Sequence, residues 1–257
     1  MATAAELQHQ LQQRFLVAIY KIAAHGELVL KGGVALQVRT GSARYSRDLD
    51  FDHDTHRSLA SLQHTIRRAI KQAASGAGLE DLQVSESKQT DSVARWKIHA
   101  RSRDGTPIGL TIEVSRRHPL DLAQAPSTPF QPENRQLPRV LVDVYSEPAL
   151  LAQKIRALLD PNRVAPRDVY DLDILVGRQA ELAPAACAAI LELHPDASDL
   201  LWRKLEICTW SRFRDEVIPA LPPAEQVRLN EEAFDAIKLR VGERIGQWLD
   251  SAAANPK

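Results

Sequence analysis

Cysteine is almost missing from this chain, and the two present, Cys187 and Cys208, stand alone in helical patterns without a second Cys or His at ligand spacing. That excludes a disulfide framework and a cysteine zinc site, and both read as buried thiols. Long apolar runs are missing too. Nothing approaches the roughly 18 consecutive apolar residues of a membrane span, and the opening MATAAELQHQLQQ has neither a basic stretch nor an apolar one. A cytoplasmic protein with no membrane partner is the expectation. Net charge is absent as well: 33 basic residues face 33 acidic ones, so any polyanion must meet a local patch rather than the chain as a whole. No internal repeat or low-complexity tract occurs.

What is there is a 257-residue chain, 44% hydrophobic and 26% charged, long enough for two modest domains. Apolar residues at Leu7, Leu11, Phe15, Ile19 and Ile22 follow helical spacing, and ELVLK reads as a strand running into Gly32 and Gly33. A short helix follows, stopped by Gly41, then SRDLDFD as a strand with Leu49 and Phe51 facing a core, then a helix from Ser58 to Ala77. LEDLQVSES, SVARWKIHARSR and TPIGLTIEVSRR read as three strands, the last two joined at Asp104 and Gly105 as a hairpin. The segment from Arg116 to Arg139 is rich in Pro and polar residues and reads as a linker or surface excursion, with a short strand RVLVDVYS after it. From Glu147 onward the pattern is helical: EPALLAQKIRALLD, PRDVYDLDILVGR, LAPAACAAILEL and a terminal run from Pro223 to Ala254. The expected architecture is α+β, a mixed-sheet domain over residues 1–146 followed by a helical bundle over 147–257.

The chemistry gathers in LVLKGGVALQVRTGSARYSRDLDFDHD, residues 28–54, where Asp48, Asp50, Asp52 and Asp54 alternate along one strand. Like charges at that spacing repel, so the arrangement calls for a positive partner. Asp48 and Asp50, with Glu113 on the polar side of the LTIEVS strand, would offer oxygen ligands to a hard divalent cation such as Mg²⁺, and two such ions about 4 Å apart hold both oxygens of an in-line phosphoryl displacement. Gly32 and Gly33, lacking Cβ, would let the backbone approach a triphosphate at a helix N-terminus. On the ARWKIHARSR strand, Arg95, Lys97, His99, Arg101 and Arg103 share one face, while Trp96, Ile98 and Ala100 share the other.

The run KGGxALxxRxGxxRxSxDLDF closely resembles the motif of the AbiEii family of nucleotidyltransferase toxins, abortive-infection and toxin–antitoxin proteins with a polymerase-beta-like nucleotidyltransferase domain. EPALLAQKIRALLDPNRVAPRDVYDLDIL is similar to the family's second signature, a lysine followed by Arg-Asp-x-x-Asp-Leu, so the likeness spans residues 25–175 or so. The resemblance implies a polymerase-beta-like fold. It implies that Gly32 and Gly33 cradle phosphates, that Asp48, Asp50 and Glu113 bind metal, that Lys154 contacts the nucleotide and that Asp168 acts in catalysis. It also places Lys31 and Ser46 beside the nucleotide. It further implies an NTP substrate, two Mg²⁺ ions, an RNA acceptor such as tRNA, and a cognate antitoxin. Where the wider superfamily has Gly-Ser, this chain has Gly32-Gly33, so backbone amides must replace a serine contact.

Plainer readings stand beside these. A double glycine after a strand is often only a tight turn. Asp52, His53, Asp54 and His56 read as loop or cap residues past the strand's end, and Lys154 as a solvated lysine beside an apolar stripe. Asp168 follows Pro166, where a carboxylate suits exposed helix amides whatever its function, and Asp171 would pair with Arg167 or Arg163. The basic strand is either a solvated edge or a groove for a polyanion formed by Arg95, Lys97, Arg101 and Arg103. An enzyme acting on a small molecule or protein, and a non-catalytic nucleotide-binding protein, remain the rival functions.

Overall fold

The computed structural model describes residues 3–254, which form two compact units: residues up to Arg39 together with Tyr45–Tyr145, and Thr40–Arg44 together with Ser146 onward. In the first, α1 (Ala4–Ile22) leads to β1 (Leu28–Lys31), α2 (Gly32–Thr40), β2 (Asp48–His53) and α3 (Leu59–Ala74). Three longer strands follow, β3 (Leu79–Gln89), β4 (Val93–Ser102) and β5 (Pro107–Ser115). The mixed five-stranded sheet has the order β1-β2-β5-β4-β3; β2 and β5 run parallel and the other neighbours antiparallel.

One face of this sheet is core because alternate residues are apolar. Leu49 and Phe51 of β2, Trp96 and Ile98 of β4, and Leu110, Ile112 and Val114 of β5 are all buried. α1 and α3 supply the covering layer: α3 buries Leu62, Ile66, Ala69, Ile70 and Ala73 along one stripe, and Phe15 of α1 meets Phe51 with ring centroids 6.3 Å apart. β2 is longer than its sequence suggests. Asp52 and His53 lie within the strand, since β1 pairs with both, and only Asp54 falls past its end. β4 is likewise no edge, because β3 pairs along its outer side.

The Pro-rich stretch after Arg116 is more ordered than a linker. It holds a 3₁₀ turn at Leu122–Gln124 and a strand, β6 (Ser127–Phe130), paired with β7 (Val140–Asp143). Arg39 at the end of α2 fixes this ribbon, its guanidinium donating to the carbonyls of Tyr145 at 2.9 Å and Pro126 at 2.8 Å. Such side chain-to-backbone bonds leave no periodic trace in sequence.

His53 closes β2 completely buried, with its Nδ1 accepting from Arg116 Nε at 3.2 Å. Burial, together with the positive charges of Arg116 and Arg57 and against that of Asp54, lowers its pKa to about 4. The folded protein therefore binds this proton less readily than the unfolded chain, and stability declines as pH falls from 6.5 toward 4. The expected loss between pH 7 and pH 5 is about 2 kcal/mol. Urea titrations at the two pH values should show it, and a His53→Gln variant should lack that increment; an unchanged slope in the variant would assign the pH dependence to other groups.

The second unit is helical: α4 (Glu147–Leu159), α5 (Pro166–Gly177), α6 (Pro184–Leu193), α7 (Ala197–Ile207), α8 (Trp210–Glu216), α9 (Pro223–Gln226) and α10 (Glu231–Ala254). The terminal run is thus broken between α9 and α10 rather than continuous. Phe213 and Phe234 stack with centroids 4.2 Å apart at its centre, with Trp210 against both. A Cβ at Gly242 of α10 would come within 2.4 Å of the Trp202 ring, so glycine there seats α7. Cys187 and Cys208 are buried and unpaired, as expected. Among the described residues no helix is long and apolar enough to cross a membrane.

Candidate active site

β1 delivers Lys31 to a turn that only glycine serves well. Gly32 has φ +72°, and a Cβ there would stand 2.6 Å from Asp50 Oδ2. Backbone conformation and the close approach of the carboxylate therefore impose the same residue. α2 starts at this point, so its first amides are available to an anion, and Gly33 is buried behind them.

The acidic strand enters under restraint. Gln8 and Gln12 of α1 donate their side-chain amides to the carbonyls of Arg47 and Ser46, the latter at 2.8 Å. Ser46 directs its own hydroxyl to the Asp48 carbonyl at 3.3 Å. Asp48, Asp50 and Asp52 then alternate, half-buried, with buried Leu49, Phe51 and His53. Register sets their neighbours: Asp50 has Lys31 across from it on one side and Glu113 on the other, followed outward by Arg95 and Lys88. In this row the adjacent carboxylates Asp50 and Glu113 are flanked by Lys31 on one side and Arg95 on the other, which offsets the repulsion that the bare strand would suffer.

Two cations already have carboxylates. Lys31 Nζ lies 2.6 Å from Asp52 Oδ1, while the Tyr145 hydroxyl donates to Asp52 Oδ2 at 2.9 Å. Burial and the Asp52 charge hold the Tyr145 phenol far above its ordinary pKa, so it remains a donor. Glu113 Oε2 accepts from Arg95 Nε at 2.8 Å. Asp52, read from sequence as a loop or cap residue, and Tyr145, which sequence did not single out, thus lie beside these groups. The alternation of Asp48, Asp50 and Asp52 signalled the first; nothing local signalled Tyr145, which is 93 residues away.

Among the described residues no group of three or more His, Cys, Asp or Glu side chains is gathered as a metal cage. The donor chemistry nevertheless suits a hard divalent cation: Asp48 and Asp50 share one strand face, and Glu113 is in register with Asp50. Asp48 and Asp50 fit such an ion as ligands, and Glu113 fits once its bond to Arg95 is exchanged.

Further along β4, Lys97, His99 and Arg101 are exposed on the face that carries Arg95, and Arg103 is exposed just beyond the strand. Their opposite numbers on β5 are small or neutral, Thr111 for Lys97, Gly109 for His99 and Pro107 for Arg101. No carboxylate on β5 neutralises this stretch. On β3, Glu80 lies across from Arg101, and Asp81 is 4.0 Å from it.

Lys154 and Asp168 belong to the helical unit and lie in one cluster. Lys154 Nζ is 2.8 Å from Asp168 Oδ1 and 2.7 Å from Asp171 Oδ2. Asp171 also accepts both Nε and Nη2 of Arg44, each at 2.8 Å, and Arg163 Nη2 is 2.6 Å from Asp168 Oδ2. Asp171 therefore pairs with Arg44 and Lys154, not with Arg163 or Arg167, and Lys154 is buried among these groups rather than solvated. Burial opposes every charge here, yet the partners outweigh it: the Asp171 carboxyl sits below its ordinary pKa and the Lys154 ammonium above its own. Lys204 completes the surroundings by donating to the carbonyl of Arg163 at 2.8 Å.

With this geometry in hand, comparison with known proteins is specific. A family model described as nucleotidyl transferase AbiEii toxin, type IV TA system, matches residues 14–248. No curated protein sequence matches the chain. Among solved structures, JHP933 from Helicobacter pylori superposes with TM-score 0.65 at 18% identity, covering 99% of this chain and 95% of that one. MenT4, a nucleotidyltransferase toxin from Mycobacterium tuberculosis, superposes with TM-score 0.61 at 19% identity, covering 98% and 89%. At those identities the likeness carries the fold.

Proposed function

Since the chain belongs to the AbiEii family of nucleotidyltransferase toxins of type IV toxin–antitoxin systems, and is by that membership a nucleotidyltransferase with an NTP substrate and a cognate antitoxin, we propose that it transfers NMP from an NTP to RNA, tRNA in particular, in a Mg²⁺-dependent reaction in the cytoplasm. The observation that carries this reading is the Gly32 turn pressed against Asp50, with Lys31, Asp50, Glu113 and Arg95 in one register row.

In this reading the α2 amides at Gly32 and Gly33 bind the triphosphate, and Lys31, held by Asp52, offsets part of its charge. Asp48 and Asp50 would hold the divalent ions, two in number, with Glu113 as the third carboxylate. Bound there, such ions supply charge neutralisation at the α-phosphorus and lower the pKa of the attacking hydroxyl. Ser46 acts through the backbone, fixing the Asp48 carbonyl. Lys97, His99, Arg101 and Arg103 would meet the acceptor's phosphates, since a polyanion replaces the counterions that a basic row otherwise gathers.

The test is incubation with each α-labelled NTP, Mg²⁺ and total RNA, followed by separation of labelled RNA from labelled protein. Label should enter RNA. Replacing Arg101 and Arg103 by Glu should weaken RNA binding, flatten its salt dependence by about one unit of slope per lost phosphate contact, and leave NTP binding unchanged. Label in protein, or full transfer by the charge-reversed variant at every salt concentration, would remove RNA as the acceptor.

A further inference from the structure

The Arg95–Glu113 pair is unusual for its position. Arg95 sits directly across from Glu113, which sits directly across from Asp50, so the guanidinium bonds the carboxylate nearest the acidic strand. Lys97 stands at the same remove from Asp48, but the residue between them is Thr111, so Arg95 alone of these two has a carboxylate across from it on β5. Lys88 lies across from it on β3 and Lys97 two residues along β4, both cations that push the guanidinium toward Glu113.

We propose that Arg95 is a resident counter-cation of Glu113, competing with the divalent ion for that carboxylate and, once displaced, turning toward the acceptor's phosphate. The proposal rests on the reading of Glu113 as a metal ligand and adds a coupling to it. Asp48 and Asp50 share a strand face and Glu113 lies across from Asp50, so three carboxylates stand on one sheet face; Arg95 neutralises one of them and eases their repulsion. The same pairing makes ion binding harder, because the Glu113 oxygen must first leave a charge-assisted hydrogen bond. By linkage, a polyanion that draws Arg95 away raises affinity for the ion, and the ion raises affinity for the polyanion. Arg95 is a positioning residue in this account, acting through Glu113.

The test uses the full chain without nucleotide and Mn²⁺ alone as probe, with affinity read by titration and melting temperature read with and without Mn²⁺. Arg95→Met should melt lower than the parent without Mn²⁺, bind Mn²⁺ roughly tenfold more tightly, the scale expected for removing an adjacent like charge, and gain more in melting temperature on adding it. Arg95→Gln, which keeps a polar side chain, should do the same in a better-tolerated background, and Arg95→Lys should restore parental behaviour. Glu113→Gln should weaken Mn²⁺ binding, and adding Arg95→Met to it should change nothing further. If Glu113→Gln weakens binding but neither neutral Arg95 variant tightens it, the competition is refuted while Glu113 stands as a ligand. If Glu113→Gln leaves Mn²⁺ affinity unchanged, the ligand assignment falls and the competition with it.

Discussion

Asp48→Ala and Asp50→Ala are each expected to reduce nucleotide transfer roughly a thousandfold, about 4 kcal/mol of lost transition-state stabilisation. Neither should unfold the protein. Both side chains are half-buried on the polar sheet face, while the residues that hold β2 to the core, Leu49 and Phe51, are untouched. Removing one carboxylate from a row of three also relieves repulsion, so the melting temperature in the absence of divalent ions should stay level or rise. Single-turnover assays with labelled NTP, beside thermal melts, separate the outcomes. Full transfer by either variant would refute the metal-site reading, and a large drop in melting temperature would give the carboxylate a structural part.

The polar face of the sheet was readable from the chain because its signals are local. Period-two alternation in DLDF and ARWKIHAR predicts which side chains share a face, and β2 and β4 obey it. The Asp104–Gly105 hairpin is another local signal, and the strands on either side of it pair as adjacent β4 and β5. What sequence could not supply is partnership across strands. That Glu113 falls between Asp50 and Arg95 depends on the register of a parallel pair and an antiparallel pair, neither of which alternation specifies. The extent of β2 was underestimated for a related reason: Asp52 and His53 are poor strand residues in isolation, and they are kept in the strand by pairing with Val29 and Leu28.

In the helical unit the failures were of length and of distance. α7 and α8 did not stand out because charged residues interrupt their apolar stripes, and β6 in the first unit was hidden by the prolines around it. Arg44 and Asp171 are 127 positions apart, so no helical i to i+4 argument could join them. The spacing of Asp168 and Asp171 on one helix was visible, and it correctly puts both carboxylates on the same side of α5, where Lys154 meets both.

The charge count of that cluster leads to a discriminating experiment. Three cations, Arg44, Lys154 and Arg163, face two carboxylates, Asp168 and Asp171, so one positive charge is in excess. Removing Arg44 leaves fully buried Asp171 without its bidentate partner, relying on a lysine shared with Asp168. Arg44→Met should therefore cost about 3–5 kcal/mol, the usual penalty for breaking a buried pair. Lys154→Met has a different consequence. It leaves Asp171 its bidentate bond to Arg44 and Asp168 the half-exposed Arg163, but takes away the hydrogen bond at Asp168 Oδ1, so a smaller cost than that of Arg44→Met is expected. The expected loss is about 1–3 kcal/mol in urea unfolding at pH 7, below that of Arg44→Met. The sign of the pH dependence agrees: lowered Asp171 contributes stability that is lost only in acid, as pH falls through its folded pKa, and raised Lys154 contributes stability lost only in alkali, so neither is titrating at pH 7. If Lys154 is kept for its surplus charge rather than for the fold, Lys154→Met should bind NTP more weakly and transfer far less while unfolding at a higher urea concentration than Arg44→Met. Destabilisation equal to that of Arg44→Met would make the lysine a structural member of the cluster and count against the nucleotide contact that the family resemblance implies for it.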